Sequence, residues 1–156
     1  MASGKPDAMT KHFFGLQMPG KDLNGMIRTN YGEGKYAVCM EVHETNGAGL
    51  VAFVYGGEFP HLGGVVLATP GRILHGSILS HCDIWSMTVP GHKDANLAQA
   101  LAKKLCMATN EAVSVSLGIH IENASGEEIK TVCNNAEAAA DLFLEAYHEK
   151  GGGHDR

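Results

Sequence analysis

The sequence lacks the motifs that identify several common enzyme and metal-binding classes. It contains no GxGxxG after a predicted strand, no GxxxxGKS/T, no HExxH and no GxSxG, so none of these enzyme signatures applies. Its four cysteines are widely separated and form no CxxC pair, which gives no sign of a zinc knuckle or a dithiol redox site. The cysteines are expected to be buried, reduced thiols, and the chain does not resemble an ordinary enzyme.

Basic clusters and long apolar runs are missing too. Twelve Lys and Arg residues are outnumbered by seventeen Asp and Glu residues, giving a formal net charge of −5. Nucleic acid is not an expected partner, because binding to phosphates requires a concentrated basic face. No stretch approaches the ~18 apolar residues of a membrane helix, and the polar residues 1–11 do not form a secretory signal. We therefore expect a cytoplasmic protein without a membrane partner.

The 156 residues include 20 glycines and nine histidines, and their pattern predicts one domain. Residues 1–33 show no sustained periodicity and are predicted to be an N-terminal extension that packs loosely or covers a neighbour. Residues 34–150 form a single predicted α+β domain, and residues 151–156 a flexible tail. A small sheet with uncovered edges also favours a homodimer.

Hydrophobic periodicity predicts five strands and two helices. Alternating or continuous apolar runs indicate strands near 36–43, 50–55, 65–68, 84–89 and 113–122, with a hairpin turn at Asn46 and Gly47. Leucines at 97, 101 and 105 indicate a helix with Asp94 as its N-cap. Ser125 and Glu128 form a capping box for a longer second helix. The short early connections predict a mainly antiparallel sheet with two packed α-helices.

Two glycine-rich corners are candidate ligand sites. In the first, residues 56–64, Gly63 and Gly64 would let a planar ligand approach the backbone, with Phe59 as a wall and His61 as a polar contact. A solvated glycine-rich hairpin explains this corner equally well. In the second, residues 90–94, His92 and Lys93 precede a helix N-terminus, which attracts phosphate or carboxylate. The alternative is that both are ordinary surface residues of a turn.

Single residues give weaker signals. His120 lies on the polar face of the last strand and either contacts a ligand or makes a structural hydrogen bond. If His61, His92 and His120 converged, they could hold zinc, although their spacing is not diagnostic. Trp85 is expected in the core rather than as a platform for an aromatic ligand. The loop 70–81 is either a lid or a mobile connection.

Three strings carry a family resemblance: EVHETNGAGLVAFVYGGEFPHLGGVVLA, MTVPGHKDANLAQALAKKL and VSVSLGIHIENASGEEI. Together they resemble the small bacterial family typified by the D subunit of gallate decarboxylase. That family is described as a prenylated-flavin chaperone and is structurally related to proteasome assembly chaperone 4. The most specific pieces are PHLGG, PGHKD and GIHIENAS, and the similarity covers residues 36–147.

The resemblance implies a non-catalytic accessory protein with a proteasome assembly chaperone 4-like fold. Such a protein holds prenylated FMN, with FMN as a weaker analogue, and delivers it to a UbiD-type decarboxylase such as gallate decarboxylase. A flavin prenyltransferase is the second implied partner. No catalytic residue and no metal ligand is assigned.

The cofactor contacts are our hypothesis rather than a property of the family. We expect the phosphate near His92 and Lys93, and the modified isoalloxazine ring against the first corner, with His61 and His120 at its polar edge. Two other functions stay open: a protein-assembly chaperone without a cofactor, with an exposed apolar patch, and a His-dependent metalloenzyme with stoichiometric metal.

Overall fold

The computed structural model describes residues 20–21, 25–45, 48–78, 81–149 and 151. A 3₁₀ turn at Gly34–Tyr36 separates the second strand from the third. The α+β class with two helices is confirmed. In chain order the elements are β1 (Gly20–Lys21), β2 (Met26–Tyr31), β3 (Val38–Glu44), β4 (Leu50–Gly57), β5 (Gly64–Pro70), β6 (Ile73–Leu74), β7 (Ser77–Ile78), β8 (Cys82–Thr88), α1 (Asp94–Thr109), β9 (Val113–His120) and α2 (Gly126–Glu149).

Seven strands form one sheet in the order β1-β2-β3-β4-β9-β5-β8, and β6 and β7 form a small hairpin within the predicted loop 70–81. Strands β4 and β9 run parallel, and the other described pairs of the sheet are antiparallel. The parallel pair arises because the chain returns from α1 and inserts β9 between β4 and β5. The C-terminal ends of β4 and β9 therefore lie side by side, with Gly57 opposite His120.

Both helices pack on the same face of the sheet. Inward-facing Val54, Val66 and Val115 have no exposed surface and share one apolar cluster with Leu101 of α1 and Phe143 of α2. The alternation predicted for β9 is confirmed by the burial of its valines and Leu117. Complete burial of one such side chain stabilises the fold by roughly 1.5–3 kcal/mol.

The opposite face of the sheet is uncovered and partly apolar. Trp85 is 57% exposed and lies opposite Leu67 in the register of β5 and β8. The expectation that Trp85 belongs to the core is therefore wrong. Its neighbour Ile84 packs against the core instead, because alternation in β8 turns the tryptophan to the side without helices. The exposed side chains of this open face are Val51, Phe53, Leu67, Trp85 and Met87.

Part of the predicted N-terminal extension is a strand of the sheet. Strand β2 pairs with β3 over its whole length, and Ile27 is only 1% exposed. Thr29 is completely buried, and its hydroxyl donates a hydrogen bond of 2.8 Å to the carbonyl of Ala139. The prediction of loose packing is therefore wrong for this segment. The sequence does not show the alternation of a strand here, because one of the inward-facing residues is a threonine. Residues 1–19, 22–24 and 152–156 lie outside the described residues, so the domain limits stay a prediction.

The two helices begin differently. The capping box of α2 is confirmed, since the N–H of Glu128 donates to Ser125 Oγ at 3.3 Å and the N–H of Ser125 donates to Glu128 Oε2 at 2.9 Å. The predicted N-cap of α1 is wrong, because Asp94 is already the first helical residue. The hairpin turn at Asn46 and Gly47 lies outside the described residues. In the described part of the chain, neither helix is long and apolar enough to cross a membrane.

Candidate functional site

Three loops meet where β4 and β9 end in parallel. At Gly57 the chain turns with a φ of 81°, a conformation that favours glycine, and the next N–H, from Glu58, donates to the carbonyl of His120 at 2.7 Å. The N–H of Gly63 donates to Leu117 on β9, and the N–H of Val89 donates to Gly63, both at 2.9 Å. These backbone bonds bring PHLGG, PGHKD and GIHIENAS together at the C-terminal ends of the interior strands β4 and β9.

His61 and His92 lie side by side, with the carboxylate of Asp94 next to both rings. The distance between His61 Nε2 and His92 Nδ1 is 2.9 Å. Asp94 Oδ2 is 3.7 Å from the first of these nitrogens and 3.6 Å from the second. Side-chain exposure is 35% for His92, 24% for His61 and 11% for Asp94. We call these three residues the His-His-Asp cluster, in which the carboxylate is innermost and the rings face solvent on one side.

Backbone groups hold two members of the cluster in place. His61 Nδ1 is 3.2 Å from the carbonyl oxygen of Phe59, and Asp94 Oδ1 accepts the N–H of Ile119 at 3.0 Å. Each group therefore keeps one atom in a structural bond and turns its other polar atom toward the cluster. The rotation of the imidazole ring and of the carboxylate is fixed by the fold.

His120 lies beside the cluster but pairs elsewhere. Its ring centroid is 5.9 Å from that of His61 and 6.1 Å from that of Phe59. Its Nε2 is 3.3 Å from Glu122 Oε2. The three predicted histidines therefore converge. However, the three potential metal-ligand atoms that lie close together belong to His61, His92 and Asp94, and His120 is not among them. Sequence reasoning missed this role because it assigned the aspartate to the helix cap.

A cavity of about 280 Å³ opens next to the cluster, between the first turns of the two helices and the end of β9. Lys93, Asp94 and His120 contribute its polar lining. Burial raises the pKa of the Cys133 thiol on its wall, with a smaller contribution from Glu137, so this cysteine is a neutral thiol at pH 7. The larger apolar lining residues are Leu97, Leu117, Ile119, Ile121, Ile129 and Val132.

The predicted glycines lie behind the cluster rather than in the cavity. Gly63 and Gly64 are buried, and a Cβ atom at Gly63 would overlap the carboxylate of Asp94. At Gly64 it would lie 2.9 Å from the backbone nitrogen of Ala95. These glycines let α1 begin directly against β5. The predicted wall residue Phe59 is 65% exposed.

A second cavity, of about 370 Å³, lies away from the cluster, at the N-terminal end of β3 and the C-terminal end of β4. Arg28 Nη2 donates to the Tyr55 hydroxyl at 3.2 Å, and that hydroxyl donates to Glu41 Oε1 at 3.0 Å. Burial, together with hydrogen bonds to Cys39 and Glu41, raises the pKa of Tyr55, which stays neutral. No sequence pattern indicates this cavity, because Arg28 lies in the segment predicted as an extension.

Comparison with known protein families identifies a matching family model. Residues 32–148 match the model of the family described as "Prenylated flavin chaperone LpdD-like domain". No curated protein matches the chain. The matched range covers most of the chain and contains the His-His-Asp cluster and the 280 Å³ cavity.

Proposed function

Because the chain belongs to the prenylated flavin chaperone LpdD-like domain family, as its resemblance predicts, we propose that it holds prenylated FMN and delivers it to a UbiD-type decarboxylase. In this proposal the chain itself is not catalytic and acts in the cytoplasm. It receives the cofactor from a flavin prenyltransferase, with gallate decarboxylase as one candidate recipient.

The observation that carries the proposal is the 280 Å³ cavity with an apolar wall and a polar rim. Its volume is close to the lower end of the ~300–1,000 Å³ typical of small-molecule pockets. It would enclose the modified ring system and leave the ribityl phosphate at the mouth. Partial enclosure suits a carrier, which must release its ligand to another protein.

The rim supplies the charge that a phosphate requires. Lys93 lies directly before α1, and the cavity is also lined by Ala124 and Ile129, which flank the start of α2 at Gly126. Helix N-termini present free N–H groups and a positive electrostatic potential to anions. We assign the phosphate to Lys93 and His92, and the polar edge of the ring to His120 and His61, with Phe59 closing the outer side. Gly63 and Gly64 contribute by holding α1 in position.

Binding of FMN and prenylated FMN to Lys93→Ala tests this placement. Removing one favourable charge at an exposed helix end costs roughly 0.3–1 kcal/mol, so we expect affinity to fall about 2- to 5-fold. Arg28→Ala is the matched control, since it removes a cation from the other cavity. Equal affinity of Lys93→Ala and the unsubstituted protein, with loss in Arg28→Ala, would assign the flavin to the 370 Å³ cavity.

A second candidate function is a protein-assembly chaperone without a cofactor. The observation that favours it is the apolar open face of the sheet, where Trp85 and Met87 are 57% and 73% exposed. Exposed apolar patches mark protein interaction sites. The two candidates differ in one measurable property, the presence of a bound flavin, and the same face also suits docking of a decarboxylase or formation of a homodimer.

A further inference from the structure

We propose that the His-His-Asp cluster, His61, His92 and Asp94, is a binding site for a divalent first-row transition-metal ion such as Zn²⁺. The metal site shares His61 and His92 with the proposed flavin contacts, and it goes beyond flavin binding because an inorganic ligand would occupy His61 Nε2 and His92 Nδ1. With the ion bound, the nitrogen contact to the polar edge of the ring falls to His120. Three potential ligand atoms converge from two loops and the first residue of a helix.

The distances among these atoms match a metal centre. Zinc binds histidine nitrogens and carboxylate oxygens at about 2.0–2.2 Å, so neighbouring ligand atoms of a tetrahedral site lie about 3.3 Å apart. The three pairs here are separated by 2.9, 3.6 and 3.7 Å. An ion about 2.0 Å from all three atoms therefore fits without movement of the backbone.

The hydrogen bonds around the cluster leave a lone pair on the required atom. The carbonyl oxygen of Phe59 can only accept, so His61 Nδ1 carries the proton and Nε2 keeps a lone pair, which accepts the Nδ1–H of His92. Coordination by both rings requires His92 to carry its proton on Nε2 instead. A metal-binding histidine characteristically donates its other ring N–H to a carbonyl or carboxylate. Asp94 shows the corresponding arrangement for a carboxylate, with Oδ1 fixed by the N–H of Ile119 and Oδ2 turned to the rings.

The ligand set selects the class of ion. Two imidazoles and one carboxylate suit Zn²⁺, Co²⁺, Ni²⁺, Mn²⁺ or Fe²⁺, whereas Ca²⁺ and Mg²⁺ prefer oxygen ligands. Three protein ligands leave a coordination position open for water or an anion. Because Asp94 also lines the cavity, the ion adds positive charge next to the proposed phosphate position.

The proposal is tested by titrating the protein with zinc and with cobalt in the absence of flavin. The protein is purified without a polyhistidine tag and treated with a chelator before the titration. Calorimetry should show one tight zinc site per chain, and cobalt should give the visible absorption of a low-coordinate nitrogen–oxygen site. Removing an outer-shell partner costs about 10–100-fold in metal affinity, so we expect His61→Ala, His92→Ala and Asp94→Asn to lose more than that. Zinc should also raise the melting temperature of the unsubstituted protein but not that of these three ligand variants.

Two further variants make the test specific. His43→Ala removes an exposed histidine of β3 and should leave zinc affinity unchanged. His120→Ala removes the nearest histidine outside the cluster and should also keep the site, so a loss equal to that of His61→Ala would overturn the ligand set. Asp94→Asn retains an acceptor for Ile119 and keeps the test valid if an alanine variant fails to fold.

One result would reject the metal site altogether. If the unsubstituted protein binds zinc no more tightly than the three ligand variants, the cluster is only a hydrogen-bonded network. Since no flavin is present in the titration, that failure would bear on the metal site alone. Failure of the proposed function would appear separately, as absence of flavin binding.

Discussion

At the scale of single residues, a glycine in β9 permits the close contact that forms the site. A methyl group at Gly118 would overlap the carbonyl oxygen of His61 and crowd the N–H of Gly63 at 3.1 Å. Both atoms belong to backbone that cannot rotate away as a flexible side chain can. The position of His61 therefore depends on the absence of a side chain at 118.

We predict that Gly118→Ala destabilises the fold by about 1–3 kcal/mol, the usual cost of inserting a methylene group into packed structure. It should also weaken ligand binding by displacing the loop that carries His61. Urea unfolding measures the first effect. The control is Gly126→Ala, where a Cβ atom meets nothing within 4 Å and alanine favours the helix. Equal stability of the two variants would show that the loop does not pack on β9.

Trp85 gives a second prediction at this scale. Since this side chain is 57% exposed, Trp85→Ala should change the free energy of unfolding by less than about 1 kcal/mol. Ile84→Ala is the matched variant from the covered face, and its cost should be about 2 kcal/mol or more. As the only tryptophan, Trp85 should also be quenched readily by iodide. Protection from iodide in the isolated protein would indicate that another surface covers the open face.

The candidate site could be predicted only in part from single residues. His61, His92, Lys93 and His120 belong to short motifs with recognisable chemistry, and all of them lie at one edge of the sheet. Asp94 was missed because an aspartate before a helix is normally a cap, and only the parallel pairing of β4 with β9 brings Ile119 close enough to redirect its carboxylate.

At the scale of elements, the start of α2 is fixed by an ion pair with the segment before β3. Lys35 Nζ is 2.6 Å from Glu128 Oε1, which also accepts the Tyr36 hydroxyl at 2.9 Å. The lysine, followed by the capping bonds of Ser125 and the tyrosine, lowers the pKa of Glu128 to about 2. The carboxylate thus joins the helix to the turn at 34–36.

This pKa fixes the pH dependence of the contact. Because folding lowers the pKa of Glu128, the contacts of its ionised carboxylate stabilise the fold fully above the ordinary pKa of 4.5. This stabilisation is lost as the pH falls toward about 2. We predict that Glu128→Gln lowers the melting temperature at pH 7, and that the difference from the unsubstituted protein vanishes near pH 2. Glu127→Gln, in the same first turn, is the control for the helix dipole. An equal, pH-independent loss in both variants would contradict the ion pair.

The elements with clear periodicity were predicted correctly, and the failures have a common cause. Strand β9 and helix α1 pack one face on the core, so their apolar residues recur with the period of the structure. Strand β2 escaped detection because Thr29 is inward-facing and satisfied by Ala139, a bond across 110 residues that no local pattern contains. Strand β8 is predicted correctly, but Trp85 is assigned to the covered face although it lies on the open one. The sequence does not show which side of the sheet the helices cover.

At the scale of the whole molecule, the two faces of the sheet differ in what they can bind. The helices cover one face and enclose the 280 Å³ cavity with β9, whereas the other face presents Trp85 and Met87. A carrier needs both a place for its ligand and a surface for the protein that receives it. The topology separates them, so cofactor binding and docking can be altered independently.

The carrier function is tested by purifying the protein without oxygen after co-expression with a flavin prenyltransferase. Its absorbance spectrum is recorded, and the small molecules that it releases are identified by mass analysis. We expect a flavin-like spectrum and a released mass equal to that of prenylated FMN, near one equivalent per chain. A colourless protein that releases no flavin, under conditions in which the prenyltransferase is shown to be active, would contradict the carrier function.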